Sequence, residues 1–430
     1  MTVGAPSGPP DPVPLYGPGL DGDMPARYER MRREHGPVVP VAIAPGVEAW
    51  LVLGHRELLH LTRDEQHFSH DPRRWSALRD GRVPPDSPLI PLVGWRPALL
   101  FADGQQHRRM RQAVAEALAR LDGHELIRRV RATAERLIAG FADRHEADLV
   151  PQYARMLPLQ VVTQLLGLDE EQGPRLVEAI ASVVAPTAAA TGANRRMGGM
   201  LLELIERKKR QPGPDVTSWL LEHEVGLSDQ EVLHNLVVII VAGNQTTVNW
   251  IADAVRVLLT DPGFRSSLSG GHLTVDDALD LVLWRYPPTA NFPGRYATRD
   301  LRFGGQHIRA GDMLILGLAG ANADPEVLPE DGRPVVGNRS HLAFGAGPHT
   351  CPAQDPARLI TRTAVDTLRH RLPDLELAVT KDQLTWITSP WSKNLAGLPV
   401  RFTAPQLAAG AATAPTADPD SADPDSGDRR

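Results

Sequence analysis

Apolar residues recur at helical spacing through most of the chain. The clearest segments, with apolar positions every three to four residues, are 106–119, 124–141, 197–209 and 356–371. The longest predicted helix begins at Ser228, which forms an S-x-x-E capping box with Glu231. It ends at Thr260, because Asp261 and Pro262 stop it. A helix of this length crosses a whole domain.

Short apolar runs predict only a little β structure. The runs 38–43 and 49–53 are separated by Ala-Pro-Gly and predict an early hairpin, while 304–316 and 398–402 add strand-like pieces. Helices therefore dominate, and the sequence predicts a mainly α fold with a small β subdomain.

The two ends of the chain differ in composition from the middle. Residues 1–23 are rich in Pro and Gly and predict a flexible arm, and 404–430 predicts a disordered tail. We therefore expect a single catalytic domain over 24–403.

Charge and hydropathy argue against a nucleic-acid-binding or a membrane protein. The chain has 430 residues and a formal net charge of -6, so it lacks a global basic field for nucleic acid. Its N-terminus lacks the features of a secretory signal, and no apolar run reaches the ~20 residues that span a bilayer. We expect a cytoplasmic, monomeric protein with neither a nucleic-acid nor a membrane partner.

Cys351 is the only cysteine, which excludes an intramolecular disulfide, a zinc site of several thiolates and a four-thiolate iron–sulfur cluster. It ends the loop His-Leu-Ala-Phe-Gly-Ala-Gly-Pro-His-Thr-Cys and precedes a helix predicted to start near Pro352. Gly345 and Gly347 permit tight turns and close approach to a flat cofactor, and the helix dipole favours a thiolate. The bland alternative is a buried structural cysteine.

This loop resembles the haem-binding signature F-x-x-G-x-x-x-C-x-G of cytochromes P450, and the resemblance extends over roughly residues 14–402. It implies the P450 fold, with haem b between the long helix and the cysteine loop. Cys351 would be the proximal iron ligand, with Phe344 and Gly345 in the haem-binding loop. His349 matches a position that commonly contacts a haem propionate.

The long helix carries Ala242-Gly243-Asn244-Gln245-Thr246-Thr247, which resembles the oxygen-activation motif A-G-x-[DE]-T-T. The resemblance implies that Thr246 supplies the distal hydroxyl, with Ala242, Gly243 and Gln245 around it. Ordinary helix packing or a kink is the alternative for a Gly and paired Thr in a helix.

Further cations match the family's propionate contacts. His107 and Arg111 lie four residues apart on one helical face, and Arg295 matches a later propionate arginine. With His349 they would neutralise two carboxylates. A solvated charge is the alternative for any single arginine.

Electrons must come from outside the chain, because it contains no flavin or reductase segment. The family implies a ferredoxin and a ferredoxin reductase as partners. Arg108 and Arg109 form a basic spot that fits an acidic partner, or simply a solvated face.

Three positions depart from the family pattern. Gln245 stands where most members have an acid, and an amide cannot ionise to relay a proton. Val282 replaces the glutamate of E-x-x-R, so Arg285, if buried, needs another partner; Asp280 is five residues away on the wrong face. Pro352 has no N–H to donate to the sulfur, which should make the thiolate more electron-rich.

These departures resemble an atypical actinobacterial subgroup that couples tryptophan-containing cyclodipeptides through C–C or C–N bonds. Such coupling of an aromatic natural product is the sharpest prediction, and hydroxylation of another small apolar molecule is the alternative. A catalytically weak haem sensor or partner subunit is a further alternative, and the retained Thr246 and Cys351 argue against it.

Substrate contacts are expected between the matched motifs. By analogy with the family, the candidate walls are 69–93, 181–191, 288–292 and 388–393, with 181–191 expected to close over substrate. The candidate side chains are Trp75, Phe292 and Trp391 for stacking, and Gln66 and Asn291 for polar orientation. Core packing is the alternative for each aromatic residue.

Overall fold

A computed structural model describes residues 11–17, 22–168, 172–173, 175–176, 189–271, 273–328 and 336–403. The predicted tail, 404–430, lies outside these residues, and so does 181–188 of the predicted lid.

Helices make up most of the described chain. They are α1 (Met24–His35), α2 (His55–Arg63), α3 (Ser76–Arg79), α4 (Ile90–Val93), α5 (Gly104–Ala119), α6 (Gly123–Ala139), α7 (Met156–Leu165), α8 (Ala189–Arg210), α9 (Val216–Leu221), α10 (Asp229–Thr260), α11 (Pro262–Ser269), α12 (Val275–Arg285), α13 (Leu318–Asn322) and α14 (Gln354–Arg371). The four amphipathic segments fall in α5, α6, α8 and α14, which confirms them as helices.

The predicted long helix is confirmed as α10, which has 32 residues. The Ser228 hydroxyl accepts a hydrogen bond from the Glu231 N–H at 3.3 Å, and the Glu231 carboxylate accepts one from the Ser228 N–H at 2.9 Å. This reciprocal capping satisfies two backbone donors that a helix start leaves unpaired. Helices α7, α8, α12 and α14 all pack against α10.

Strands form one larger sheet and several small pairs. They are β1 (Val13–Pro14), β2 (Val38–Ala44), β3 (Val47–Val52), β4 (Phe68–Ser69), β5 (Glu146–Asp148), β6 (Phe292–Ala297), β7 (Leu301–Phe303), β8 (Gln306–Ile308), β9 (Met313–Leu316), β10 (Glu376–Leu377), β11 (Trp386–Thr388), β12 (Lys393–Leu395) and β13 (Pro399–Arg401). The larger sheet has the order β1-β2-β3-β9-β6-β4.

The predicted early hairpin is confirmed. Strands β2 and β3 pair antiparallel from Val38 opposite Val52 to Ala44 opposite Val47. Gly46 turns the chain with a φ of 72°, a conformation that favours glycine. Part of the predicted arm joins this sheet, because Val13 pairs with Val41 and the Leu15 N–H donates to Ala42 at 2.7 Å.

Two apolar cores flank the middle of α10. One packs its N-terminal half, up to Ile240, against α5, α8 and α9. The other packs its C-terminal half, from Val248, against α6, α12 and α14. Between them, Val241 is 50% exposed. The break in packing therefore coincides with the Ala242–Thr247 motif.

Among the residues that the structure describes, no helix is both long enough and apolar enough to cross a bilayer.

Candidate active site

The cysteine loop is built from two short turns before α14. Its two 3₁₀ turns are Leu342–Phe344 and Gly347–His349. Gly345 and Gly347 have φ values of 72° and 70°, so the predicted glycine turns are present. A Cβ on Gly347 would collide with the backbone of Thr62 in α2, so only glycine fits there.

Backbone groups of the loop hold the thiol of Cys351 in place. The Cys351 N–H donates to the Phe344 carbonyl at 2.8 Å. Pro352 cannot donate, but the next N–H, of Ala353, donates to Cys351 Sγ at 3.4 Å. Burial raises the pKa of the Cys351 thiol, and the Ala353 N–H and the Arg111 charge oppose that rise. The Arg111 guanidinium also donates to the Thr350 carbonyl.

Three histidine rings form a stack beside this loop. The ring of His349 lies between those of His70 and His107, with centroid distances of 3.3 Å and 3.6 Å. His70 and His107 are buried, and so is the neighbouring Arg295. The stack thus joins the cysteine loop, α5 and the chain after β4.

The buried basic groups of this cluster have unused hydrogen-bonding atoms. Within the described part of the chain, both ring nitrogens of His107, the Nε2 atoms of His70 and His349, and the Nε of Arg295 have no partner. Buried polar atoms normally have partners, so this set of atoms suits a ligand that carries hydrogen-bond acceptors.

Burial and neighbouring positive charges lower the pKa values of the basic groups in this cluster. Burial, followed by the charge of Arg111, lowers the pKa of His107 to about 4. Burial lowers the pKa of Arg295 to about 10. Burial and the Arg295 charge also lower the pKa of His70 well below its usual value. An anionic group among these side chains would relieve the repulsion.

Sequence reasoning missed His70. Strand β4 pairs with β6 so that Ser69 faces Tyr296, which brings the next residue, His70, beside Arg295. Asp103 accepts from the His70 N–H at 2.8 Å, and its Oδ1 lies 3.1 Å from the ring Nδ1. This contact fixes the ring and leaves Nε2 free. No spacing motif signals His70, because the pairing of β4 with β6 is what places it.

The motif on α10 has its own hydrogen bonds. The Thr246 hydroxyl donates to the Ala242 carbonyl at 2.6 Å, and the Thr247 hydroxyl donates to Gly243 at 2.7 Å. A Cβ on Gly243 would lie 3.7 Å from Val162, an ordinary contact, so packing against α7 does not require glycine. The helix continues unbroken through the motif.

Gln245 belongs to a chain of amides. Its Nε2 donates to the Asn249 Oδ1 at 3.0 Å, and the Asn249 Nδ2 donates to the Pro288 carbonyl at 3.1 Å. None of these groups ionises at physiological pH. The position where the family usually has an acid is therefore tied to the chain after α12 by neutral groups.

Comparisons with known proteins identify the family. No family model matches the chain. The cytochrome P450 monooxygenase PikC of Streptomyces venezuelae is 32% identical over 390 residues, which cover 87% of this chain and 90% of PikC. This chain belongs to the cytochrome P450 family. The P450 is also 30% identical over 383 residues to the 2-hydroxy-5-methyl-1-naphthoate 7-hydroxylase of Streptomyces carzinostaticus, covering 86% of this chain and 93% of that protein.

Solved structures of cytochromes P450 have the same fold as this chain. Testerone-bound CYP154C4 from a Streptomyces species matches with a TM-score of 0.84 and 28% identity, over 92% of this P450 and 99% of that chain. The predicted fold class is confirmed. The P450 is an oxidoreductase of the monooxygenase class, and its cofactor is haem b.

The buried basic cluster fits haem b. Haem carries two propionate carboxylates, and the unpaired N–H groups of His107, Arg295 and the two other histidines are donors that suit them. Cys351, the one thiol of the chain, lies on the adjoining loop beside Arg111. The donor set therefore suits both the iron and the acidic edge of the cofactor.

The predicted substrate residues have different surroundings. Trp75 is 1% exposed and packs near Tyr296, with ring centroids 6.3 Å apart, so core packing accounts for it. The Asn291 amide donates to the Pro390 carbonyl at 2.8 Å and accepts from the Tyr28 hydroxyl at 3.1 Å. Both polar ends of that amide are thus already engaged.

The other three are more accessible. Phe292 and Trp391 are partly buried, and Gln66 is exposed. Trp391 lines a cavity of about 310 Å³ together with Pro390 and Leu89. Its predicted role in stacking on substrate remains a prediction.

Two charged groups differ from the expected arrangement. Arg285 is exposed, so it does not need the buried partner that the sequence raised as a condition. Arg109 pairs with Glu231 and also donates to the Val225 carbonyl at 3.4 Å. Of the two residues of the predicted basic spot, Arg108 is exposed and Arg109 is partly buried.

Proposed function

We propose that this P450 hydroxylates a compact aromatic natural product at a haem whose iron is bound by Cys351. The observation that carries the assignment is the set of buried, unpaired basic groups beside the cysteine loop. The naphthoate hydroxylase among its relatives supports an aromatic substrate and the insertion of one oxygen atom.

Each basic residue has a distinct place in this proposal. His107, His349 and Arg295 donate to the propionates, and Arg111 lies at the thiolate side. His70 adds a fourth group, and its ring is held by Asp103, whose Oδ1 lies 3.1 Å from Nδ1. Phe344 and Gly345 shape the loop that presents Cys351. Bound in this way, haem supplies dioxygen activation.

Side chains on α10 would orient water and hold protons for the reaction. The Thr246 proton points to the Ala242 carbonyl, so its oxygen is available to accept a hydrogen bond. Gln245 can orient water through its amide but cannot deliver a proton by ionising. Proton supply then depends on water and on the Thr246 hydroxyl.

An acid at position 245 is expected to improve proton supply. In the variant Gln245→Glu, we expect product formed per NADPH consumed to rise about threefold or more, because a carboxylate can exchange protons. The measurement is product yield against NADPH oxidation. Gln230→Glu, exposed in the first turn of the same helix, is the control. Equal yields for both variants would contradict the role given to Gln245.

Electrons are proposed to come from a ferredoxin and a ferredoxin reductase. Arg108 supports a docking site for an acidic partner, since it is exposed on α5, the helix whose Arg111 donates to the Thr350 carbonyl of the cysteine loop.

Oxidative coupling of a tryptophan-containing cyclodipeptide is the second candidate. The Gln245 amide chain and the apolar Val282 are the observations that favour it, because they match the departures that define the resemblance. In coupling, two substrate molecules each lose one hydrogen atom and join through a new C–C or C–N bond, while dioxygen, with two electrons from the ferredoxin and two protons, is reduced to two molecules of water.

Mass spectrometry of products separates the candidates. The purified protein is supplied with ferredoxin, reductase, NADPH and either a hydroxynaphthoic acid or a tryptophan-containing cyclodipeptide. One added oxygen atom supports hydroxylation, and a product of two substrates minus two hydrogens supports coupling. Absence of product beside a thiolate-type carbon monoxide spectrum would reject both substrate classes. Absence of NADPH-driven oxygen consumption would favour the sensor alternative.

The haem-free protein is expected to be acid-sensitive. Without the propionates, burial lowers the pKa of His70 and of His107, to about 4 for His107. The unfolded chain takes up protons below about pH 6.5, while the folded chain resists them, so stability is lost as the pH falls from there towards about 4. Bound propionates favour the protonated rings and should reduce this loss.

Thermal unfolding of haem-free and haem-loaded protein at about pH 7.5 and about pH 5 measures the effect. We expect the larger fall in Tm for the haem-free form. The same fall in both forms would mean that no anion of the cofactor reaches these histidines.

A further inference from the structure

Asp280 is a buried carboxylate at the centre of a cluster of basic side chains. It lies on α12 and is 2% exposed. Arg339 Nε lies 3.0 Å from its Oδ2, His341 Nε2 lies 3.4 Å from its Oδ1, and Arg358 forms a further ion pair through its guanidinium. Three basic groups from two further segments therefore converge on one acid.

These partners lie on both sides of the cysteine loop. Arg339 and His341 directly precede the turn Leu342–Phe344, and Arg358 lies in the first turns of α14, after Cys351. Asp280 thus joins the start of the loop to the helix that follows it. Both are held to α12.

A continuous set of contacts leads from Asp280 to the thiol. The Arg358 guanidinium lies 5.4 Å from the centre of the Phe344 ring, and the His341 ring lies 5.8 Å from it. The Phe344 carbonyl in turn accepts the Cys351 N–H. A shift of Arg358 or His341 would move Phe344, and with it the backbone that positions the sulfur.

The carboxylate of Asp280 neutralises the positive charge of Arg358. Burial alone would raise the pKa of Asp280, but hydrogen bonds from His341 and Arg358 outweigh it and lower the pKa. Removing the carboxylate would leave the partly buried Arg358 without its ion pair, a costly arrangement.

Among the residues that the structure describes, Val282 and Arg285, at the positions of the family's usual brace, form no ion pair. Val282 is buried in the apolar core and Arg285 is exposed. Asp280, five residues before Arg285, instead faces the loop and α14. As its spacing predicts, Asp280 does not face Arg285. Its partners are Arg339, His341 and Arg358.

We propose that Asp280 is the positioning residue that holds the cysteine loop in register with the haem. The inference rests on the proposed role of Cys351 as iron ligand. Asp280 acts on the sulfur through Arg358, His341 and Phe344, and does not contact the cofactor itself.

The test compares haem-loaded Asp280→Asn with Asp253→Asn. Asp253 is also buried on a helix and pairs with a buried arginine, Arg256, at 2.8 Å, so it controls for the loss of a buried ion pair. The readouts are the share of the thiolate-type band in the ferrous carbon monoxide spectrum and the rate of haem transfer to apomyoglobin. We expect Asp280→Asn to lose much of that band and to release haem about tenfold faster. Asp280→Glu should restore most of both.

A spectrum and transfer rate for Asp280→Asn equal to those of Asp253→Asn would overturn the inference. If Asp280→Asn does not fold, Arg339→Gln replaces it, with Arg362→Gln as control because Arg362 pairs with Asp276 at the surface. Arg339→Gln should shift both readouts in the same direction and by less, and equality with its control would overturn the inference. A parent protein without any thiolate-type band would overturn the Cys351 assignment itself.

Discussion

Replacing Cys351 by serine is expected to abolish substrate oxidation, down to the background rate of free haem. Serine keeps the size of the side chain but removes the soft thiolate that would bind iron. The ferrous carbon monoxide complex should lose its thiolate-type band at the same time. Cys351 is the only thiol of the chain, so no other cysteine can substitute for it.

Thr350→Ser serves as the control for this variant. It changes the neighbouring side chain while retaining the hydroxyl and the backbone carbonyl that accepts from Arg111. It should keep both the spectrum and the activity. Retention of a thiolate-type spectrum by Cys351→Ser would contradict the assignment of the iron ligand.

Replacing Arg295 by leucine is expected to weaken haem binding strongly. Arg295 is buried among the three stacked histidines, and its Nε lacks a partner in the described chain. Loss of the charge and of the donor should speed haem transfer to apomyoglobin by about 10- to 100-fold. The exposed Arg302 on β7 of the neighbouring hairpin offers a matched control, Arg302→Leu.

Equal transfer rates for these two variants would show that the cluster does not hold the propionates. A complementary readout is the absorption of the resting enzyme, which should change for Arg295→Leu only through loss of haem. The spectrum of the fraction that keeps haem should remain of the thiolate type, since Cys351 is untouched.

Local sequence signals sufficed for much of the fold. The Ser228 and Glu231 capping box defined the start of α10, because a helix start requires partners for its free N–H groups. The tight turns of the cysteine loop could be predicted from its glycines, since Gly347 has a positive φ and leaves no room for a Cβ. These features depend on neighbours in sequence.

Site residues that are brought together by contacts between distant parts of the chain could not be predicted from the sequence. His70 joins the basic cluster only because β4 pairs with β6, and Asp280 meets Arg358 only because α12 packs on α14. His70 and Arg295 lie 225 residues apart in the chain, and Asp280 and Arg358 lie 78 residues apart. No spacing rule connects such pairs without homologous sequences.

Aromatic and amide side chains gave the weakest predictions. Trp75 packs in the core, and the Asn291 amide is used by Tyr28 and Pro390. A large aromatic residue serves a core and a substrate pocket equally well, so its type alone does not discriminate between them. The substrate class therefore rests on relatives and on product analysis.

A crystal structure of the haem-loaded protein tests the central claim most directly. The account predicts that Cys351 Sγ binds the iron on one side of the haem and Thr246 lies on the other. It also predicts that the propionates accept hydrogen bonds from His107, His349, Arg295 and His70. Iron bound by another side chain, or propionates directed away from the three stacked histidines, would contradict it.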